Sequence, residues 1–188
     1  MATNVNNPWV ECEIADSVKA ETLVECKVYE VKSLPKCPFN YWEHFESEVN
    51  VSDLIGKQFE LIIKQDNESL VFIGIDCIYI MLHLQDCCES VHIDDICGDL
   101  DDLIGSPILV AEELHSDKIL PAKDPEWDES FTWTFYKFAT NKGYVDIKWY
   151  GTSNGYYSES VNLFKINDEK YPHIRKYYMN SLLKLQTS

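Results

Sequence analysis

Residues 131–150, FTWTFYKFATNKGYVDIKWY, contain two segments in which side chains of different character alternate. The odd-numbered residues from 131 to 135 are aromatic, and those from 145 to 149 are apolar. This period of two is typical of β-strands with one buried face. The intervening residues 140–143, TNKG, favour a turn. The stretch therefore predicts an antiparallel β-hairpin.

Other segments of strand length are rich in apolar and β-branched residues and lie between turn-forming residues. They are Val10–Ile14, Val24–Val31, Phe59–Lys64, Ser69–Ile75, Ile78–Leu84, Val91–Ile96, Pro107–Val110 and Tyr157–Lys165. Near the end of the chain, Ile174, Tyr177 and Leu185 fall at helical spacing after Pro172, which suits a first helical turn. We expect an α+β, predominantly β fold, with an antiparallel sheet system of about nine strands and one C-terminal amphipathic helix.

The length of 188 residues and the hydrophobic content of 45% favour a single domain over residues 1–188. Within it, residues 9–50 are expected to form an N-terminal hairpin and an aromatic loop, which could be a subdomain. We expect a β domain at residues 53–166 and the helix at 168–186. Residues Glu112–His115 could end in a helical turn.

A five-residue pattern occurs twice, as SDLIG at 52–56 and as DDLIG at 101–105, and an apolar strand follows each copy. Glycine accepts the left-handed backbone conformation that stops a helix. The pattern therefore predicts two similar corners, each a single helical turn that ends at a glycine.

The formal net charge is −16, with 16 Lys and Arg against 32 Asp and Glu. Such a charge repels phosphate groups and anionic membranes, and it attracts basic protein surfaces. We therefore expect neither direct nucleic-acid binding nor membrane binding. Ten acidic residues and no Lys or Arg lie between Gln85 and Asp117, whereas the segment after Asn162 is basic. These two regions could pair within one molecule or between copies, which leaves homo-oligomer formation open.

The seven cysteines are odd in number, and the polar start of the chain does not resemble a secretory signal. Reduced thiols in a cytoplasm fit this pattern better than secreted disulfides, so we expect a cytoplasmic protein.

The densest group of potential ligands runs from Cys87 to Asp102. Zinc sites usually contain a Cys-x-x-Cys pair, which is absent, and Cys87 and Cys88 would point to opposite faces of an extended strand. The carboxylates from Asp94 to Asp102 could bind a hard cation, although their spacing is not that of an EF-hand. No catalytic motif is present, so we assign no catalytic residue, metal or cofactor, and the enzyme question stays open with the balance against activity.

Residues 149–158, WYGTSNGYYS, combine a turn signal with aromatic side chains. Asn154-Gly155 favours a tight two-residue hairpin turn. Aromatic residues at a rigid loop tip are typical of binding hot spots. The sequence therefore favours either a turn that covers a sheet edge or a contact loop.

Two blocks of sequence carry a family resemblance. The first begins with CCESV at 87–91, continues through Ile93, Asp95-Ile96, GDL at 98–100, Asp102-Leu103, Gly105 and Pro107-Ile108, and ends with AEE at 111–113. The second contains TWTFY at 132–136, Lys142-Gly143, Trp149 and SNGYYS at 153–158. From about Asp53 to Phe164 the chain resembles an uncharacterised domain family of bacteriophages and prophages. The resemblance implies a small accessory phage protein, and such proteins often bind and disable a host factor; it implies no activity and no site residue.

Three functional hypotheses follow. The leading one is an acidic phage protein in the host cytoplasm that binds a basic surface of a host protein and inhibits it, as an anti-defence factor and in one version as a nucleic-acid mimic. An alternative is a protein that sequesters a nucleotide-derived signal, with Lys142, Lys148 and Trp149 as candidate contacts. A second alternative is a metal-dependent enzyme that uses the Asp94–Asp102 carboxylates. The candidate partner-binding residues are Asp94, Asp95, Asp99, Asp101, Asp102, Glu112, Glu113, Ser153, Asn154, Tyr156 and Tyr157.

Overall fold

A computed structural model describes residues 27–31, 45–116, 120–167, 169 and 172–186. These residues form ten strands, two 3₁₀ turns and one helix. The strands are β1 (Lys27–Val31), β2 (Phe45–Glu48), β3 (Leu61–Gln65), β4 (Ser69–Ile73), β5 (Ile78–Leu82), β6 (Glu89–Cys97), β7 (Val110–Ser116), β8 (Ser130–Ala139), β9 (Tyr144–Ser153) and β10 (Asn162–Ile166). The 3₁₀ turns span Val51–Leu54 and Leu100–Leu103, and helix α1 spans Pro172–Gln186. The expected fold class, mostly antiparallel sheet with one C-terminal helix, is confirmed.

Sheet 1 has six strands in the order β1-β3-β4-β5-β10-β2. Its pairs are antiparallel except for β1 and β3, which are parallel. All five residues of β4 and all five of β5 are buried. The cause is that one face of the sheet packs on sheet 2, while the other face packs on Ile174 and Tyr178 of α1. Burial on both faces explains why these strands are apolar along their whole length and do not alternate.

Sheet 2 has four antiparallel strands in the order β6-β9-β8-β7. The predicted hairpin of residues 131–150 is present as β8 and β9, and its turn is closed by the Thr140 amide, which donates to the Gly143 carbonyl at 2.9 Å. Tyr136 and Phe138 of β8 face the core, together with Trp149 of β9. The aromatic residues 131, 133 and 135 therefore lie on the outer face of sheet 2, because neighbouring residues of a strand point to opposite faces.

The two copies of the repeated pattern form two corners that contact each other. Each 3₁₀ turn is followed by a glycine with positive φ, +82° at Gly56 and +70° at Gly105. The Gly56 amide donates to the Ile108 carbonyl and the Gly105 amide donates to the Phe59 carbonyl, both at 2.8 Å. Each corner therefore binds the segment that follows the other corner. The prediction of a helical turn ending at glycine is confirmed for both copies.

Several local predictions differ from the structure. Residues 112–115 belong to strand β7 and not to a helical turn, because they pair with β8 along their whole length. Residues 45–48 form strand β2 and pair with β10, although they were expected to belong to a loop. Asn154-Gly155 does not join paired strands, since β9 and β10 belong to different sheets. The first strand of the predicted N-terminal hairpin lies outside the described residues.

Candidate functional site

Most of the predicted contact residues lie at two opposite ends of sheet 2. At one end of β9, Asp146 pairs with Cys97, just before the acidic 3₁₀ turn. At the other end, Ser153 pairs with both Glu89 and Ser130. A strand of this length extends about 30 Å. The acidic residues and the aromatic loop therefore do not form one continuous surface.

We call Asp95, Asp99, Asp101 and Asp102 the acidic end of sheet 2. Part of this group stabilises the fold locally: the Asp99 carboxylate caps the 3₁₀ turn by accepting the Asp101 amide at 3.0 Å. The Asp102 carboxylate lies so close to Gly143 that a β-carbon at residue 143 would collide with this carboxylate. Asp95 and Asp101 are exposed. The acidic end is thus a solvated corner in which the Asp99 carboxylate caps the turn and the Asp102 carboxylate packs against Gly143.

Asp94 lies on the outer face of sheet 2 and forms two ion pairs. Its carboxylate is 2.8 Å from the Lys148 ammonium and also contacts the Lys123 ammonium. Partial burial acts to raise the pKa of Asp94, but hydrogen bonds to both lysines and their charges outweigh that effect and lower it. Asp94 therefore holds residue 123 against the sheet, and its charge is neutralised within the molecule.

Glu112 and Glu113 lie on β7, which is an edge strand of sheet 2. Both are exposed, and Glu113 contacts the imidazole of His115. Burial raises the pKa of the core residue Tyr136, and Glu113 raises it further through its charge and a hydrogen bond. These two glutamates are separated from β6 by two intervening strands, so they do not meet Asp94.

The segment from Ser153 to Tyr157 is an ordered loop at the opposite end. The Ser153 hydroxyl donates to the buried carboxylate of Glu159 at 2.7 Å and accepts the Gly155 amide at 3.0 Å. The Asn154 side-chain oxygen accepts the Tyr156 amide at 3.1 Å. These bonds fix the loop, and they leave the Tyr156 side chain 87% exposed.

A second exposed aromatic side chain lies in the neighbouring loop and was not among the predicted contact residues. Trp127 is 78% exposed, and residues 124–129 read DPEWDE. The Asp128 carboxylate binds this loop to β9, because it accepts hydrogen bonds from the Tyr150 and Thr152 hydroxyls. The exposure of Trp127 could have been predicted from the sequence, because a segment with four acidic residues cannot enter an apolar core.

The loop at residues 120–129 covers the aromatic side chains on the outer face of sheet 2. The Trp133 indole N–H donates to the Pro121 carbonyl at 3.0 Å, and the Lys123 ammonium lies 5.3 Å from the centre of the Tyr150 ring. Burial raises the pKa of Tyr150 to about 12, and the hydrogen bond to Asp128 adds to this effect. Trp133 and Tyr150 are therefore part of the packed structure and are not open to a ligand.

The candidate contacts for a nucleotide-like ligand are dispersed. Trp149 is buried in the core, and Lys148 pairs with Asp94 on the outer face. The Lys142 ammonium donates to the Ile104 carbonyl at 2.6 Å, at the acidic end. The structure does not bring these three residues into one pocket.

The carboxylates proposed for a metal site are also dispersed. A cleft of about 390 Å³ is lined by Asp94, Asp95 and Asp99 together with Lys64 and Asn67. Among the residues that the structure describes, no group of three or more His, Cys, Asp or Glu side chains is arranged to hold a metal ion.

The described part of the chain contains no helix that is both long enough and apolar enough to cross a membrane.

The adjacent cysteines Cys87 and Cys88, just before β6, differ from the prediction for an extended strand. Cys88 has a φ of +56°, and the Cys87 and Cys88 sulfur atoms lie 3.2 Å apart. The two thiols therefore point to the same side. The chain turns here because the Glu89 carboxylate accepts the amides of both Asp86 and Cys87.

Comparison with known families gives one match. Residues 52–163 match the model of a domain family described as Domain of unknown function (DUF7448). The chain belongs to this family. The match covers both corners and all of sheet 2. Searches of curated proteins and of solved structures found no similar protein.

Proposed function

We propose that this DUF7448 protein binds a basic surface of another protein through one end of sheet 2, which we call the aromatic end. It consists of Trp127, the Ser153–Tyr157 loop and the acidic residues Asp86, Asp124, Glu126 and Glu129. The observation that supports the proposal is the exposure of Trp127 and Tyr156, at 78% and 87%. Large aromatic side chains are the residues that most often dominate binding energy at protein interfaces.

The rigidity of the aromatic end supports this assignment. Trp127 belongs to a loop that Asp128 attaches to β9, and Tyr156 belongs to a loop that Glu159 attaches to β8 and β9. The two loops are adjacent, because Ser130 pairs with Ser153 where they leave the sheet. A preorganised surface loses little conformational entropy on binding, so more of the contact energy is available for affinity.

The charge supports the choice of a basic partner. Asp86, Asp124, Glu126 and Glu129 are exposed around the two aromatic residues, and the whole chain carries a net charge of −16. Acidic side chains at the rim of an interface accelerate association with a basic surface and repel acidic proteins. Affinity for such a partner is expected to fall as salt rises.

The biological role that we propose is that of a bacteriophage accessory protein which inhibits a host protein in the host cytoplasm, as an anti-defence factor. This step rests on the resemblance of residues 53–164 to a phage and prophage family and on the binding surface argued above. Inhibition would follow from occupying the partner's basic site, which is also how a nucleic-acid mimic acts.

The test is an affinity capture from bacterial lysate with the wild-type protein and a Trp127→Ala/Tyr156→Ala double variant. We expect a host protein that is retained in stoichiometric amount by the wild type and at least about tenfold less by the variant, because loss of hot-spot residues costs about 2 kcal/mol or more each. Both substitutions are at exposed positions, so thermal unfolding of the variant should match the wild type.

Two control variants locate the surface. Tyr144→Ala removes an exposed tyrosine at the acidic end and should leave capture unchanged. Asp95→Asn/Asp101→Asn removes two charges at that same end. If capture is lost with either control and kept by the Trp127/Tyr156 variant, the acidic end is the contact surface and our assignment is wrong.

A further inference from the structure

The Cys87-Cys88 pair has a geometry that separates it from the other cysteines of the described residues. Both thiols are exposed, and their sulfur atoms lie 3.2 Å apart. Cys88 adopts a left-handed conformation with φ +56°, which L-residues rarely adopt and which costs about 1–2 kcal/mol. This conformation is what brings two sequential side chains to the same side of the chain.

Several contacts fix this turn. The Glu89 carboxylate accepts the Cys87 amide at 3.1 Å and also accepts the Asp86 amide. The Glu89 side chain is only 2% exposed and lies 3.6 Å from the imidazole of His83. On the other side, the Cys88 carbonyl accepts the Asn154 amide at 3.3 Å. The two thiols are therefore presented to solvent by a buried support, and their proximity is built into the fold.

We propose that Cys87 and Cys88 form a thiol–disulfide exchange site that reacts with low-molecular-weight disulfides of the glutathione type. The product is a disulfide between the two adjacent cysteines. The two cysteines lie at the aromatic end, since Cys88 binds Asn154 and Cys87 follows Asp86, but the exchange chemistry does not depend on the partner binding proposed above.

The reaction has two steps. The thiolate of one cysteine attacks a sulfur atom of the small disulfide; a protein–glutathione mixed disulfide forms and one glutathione thiolate leaves. The thiolate of the neighbouring cysteine then attacks the protein sulfur of the mixed disulfide, and the second glutathione leaves. The two cysteines lose two electrons and two protons, and one disulfide molecule is reduced to two thiols.

The product should be easily reduced. The α-carbons of adjacent residues are about 3.8 Å apart across a trans peptide, whereas disulfides usually join α-carbons at about 4.4–6.8 Å. A disulfide between adjacent cysteines is therefore strained, and strained, exposed disulfides are the labile ones. Thiols of the glutathione type can therefore reverse the exchange and regenerate two protein thiols and one small disulfide, so the product is not a permanent structural cross-link.

The pKa of the Cys88 thiol is raised, chiefly by its hydrogen bond with Cys87 and then by the charge of that neighbour. Because the thiolate is the reacting species, exchange through Cys88 should accelerate as the pH rises.

The test exposes the full chain to oxidised glutathione, blocks the remaining thiols by alkylation and maps the peptides by mass spectrometry without reduction. The peptide that contains Cys87 and Cys88 should lose two hydrogens and carry no glutathione. Cys97, an exposed single thiol, should carry glutathione or remain free. Adding dithiothreitol should restore both thiols.

A Cys88→Ser variant removes the second step. It should accumulate the glutathione adduct at Cys87 at least tenfold above the wild-type level, while a Cys97→Ser control should behave like the wild type at residues 87 and 88. The proposal is overturned if wild-type Cys87 or Cys88 carries glutathione as persistently as the variant does. It is equally overturned if both thiols stay free while Cys97 reacts. The wild-type peptide map decides the question by itself if the variant does not fold.

Discussion

The carboxylate of Asp94 lies 2.8 Å from the ammonium group of Lys148 on the neighbouring strand. Asp94 is the extra residue of a β-bulge, since Ile93 pairs with Trp149 and Asp95 pairs with Lys148. Asp94 follows Ile93, which faces the core, and therefore lies on the outer face, where it also binds Lys123 from the covering loop. One irregular residue in β6 therefore attaches the loop that carries Trp127 to sheet 2.

We predict that Asp94→Asn destabilises the protein at neutral pH by about 1–2 kcal/mol, between the values for exposed and buried ion pairs, because the Asp94 side chain is 14% exposed. The folded-state pKa of Asp94 is lowered from its ordinary value of 3.8, so its stabilising effect is present above that pH and is lost as the pH falls through the folded-state pKa. Urea unfolding at pH 7 and at pH 3 should show a smaller difference between variant and wild type at pH 3. Asp95→Asn, an exposed neighbour, is the control and should change stability by less than about 0.5 kcal/mol at both pH values.

His92 provides a spectroscopic test of the same cluster. Burial lowers its pKa below 6.5, Lys123 lowers it further, and Asp94 opposes both effects. We therefore expect the His92 ring signals to titrate below pH 6.5 in an NMR experiment. Asp94→Asn should move that midpoint down, whereas Lys123→Gln should move it up. The cluster is wrongly described if both substitutions move the midpoint in the same direction.

The linkage of His92 to stability has a definite sign. The unfolded state binds the proton near pH 6.5, before the folded state does, so stability falls as the pH drops from 6.5 towards the folded-state pKa. His92→Gln should flatten this part of the pH–stability curve, as followed by urea unfolding between pH 7 and pH 5.

Alanine substitutions at Gly98 and Gly56 distinguish the cost of backbone strain from the cost of a steric collision. Gly98 has φ +108°, and a β-carbon there would collide with the Tyr144 carbonyl oxygen. Gly56 has φ +82°, and a β-carbon there would have no heavy atom within 4 Å. Gly56→Ala should cost about 1–2 kcal/mol from the backbone conformation alone, and Gly98→Ala should cost clearly more. Equal losses in chemical unfolding would show that β9 does not approach Gly98 as described.

Glu159 should control the rigidity of the aromatic loop. Its buried carboxylate accepts the Thr132 and Ser153 hydroxyls, both at 2.7 Å. Glu159→Ala leaves both hydroxyls without this acceptor and should cost about 2 kcal/mol, the range for hydrogen bonds to a charged group. Hydrogen exchange at the amides of Gly155 and Tyr156 should accelerate. Glu129→Ala, at an exposed position, is the matched control, and a comparable acceleration there would contradict the role of Glu159.

Much of the fold could be predicted from the sequence, because period-two alternation and the glycine corners are local signals. Which face of β8 lies in the core could not be predicted in the same way. Its odd-numbered aromatic residues suggested one apolar face, yet Tyr136 and Phe138 are the residues in the core. Both faces of β8 are apolar because the loop at residues 120–129 covers the outer one. A long-range cover of this kind leaves no local pattern.

The bulge in β6 could have been predicted from the spacing of its apolar residues. Val91, Ile93 and Ile96 all lie on the core side of β6, and the step of three between the last two cannot occur in a regular strand. The positions of the candidate surfaces could not be predicted from the sequence, because proximity along the chain does not show which end of a sheet a loop occupies. The acidic residues and the aromatic loop could be named as candidate contact surfaces from the sequence, but the distance between them along β9 could not be predicted.

The separation of the two ends by the length of β9, about 30 Å, bears on stoichiometry. A typical interface buries about 800 Å² on each partner, a patch roughly as wide as this separation. A single small partner centred on Tyr156 would therefore leave the acidic end uncovered. If the proposed binding also used that end, the protein would act as a linker that holds two basic proteins side by side, and the local concentration of each near the other would rise.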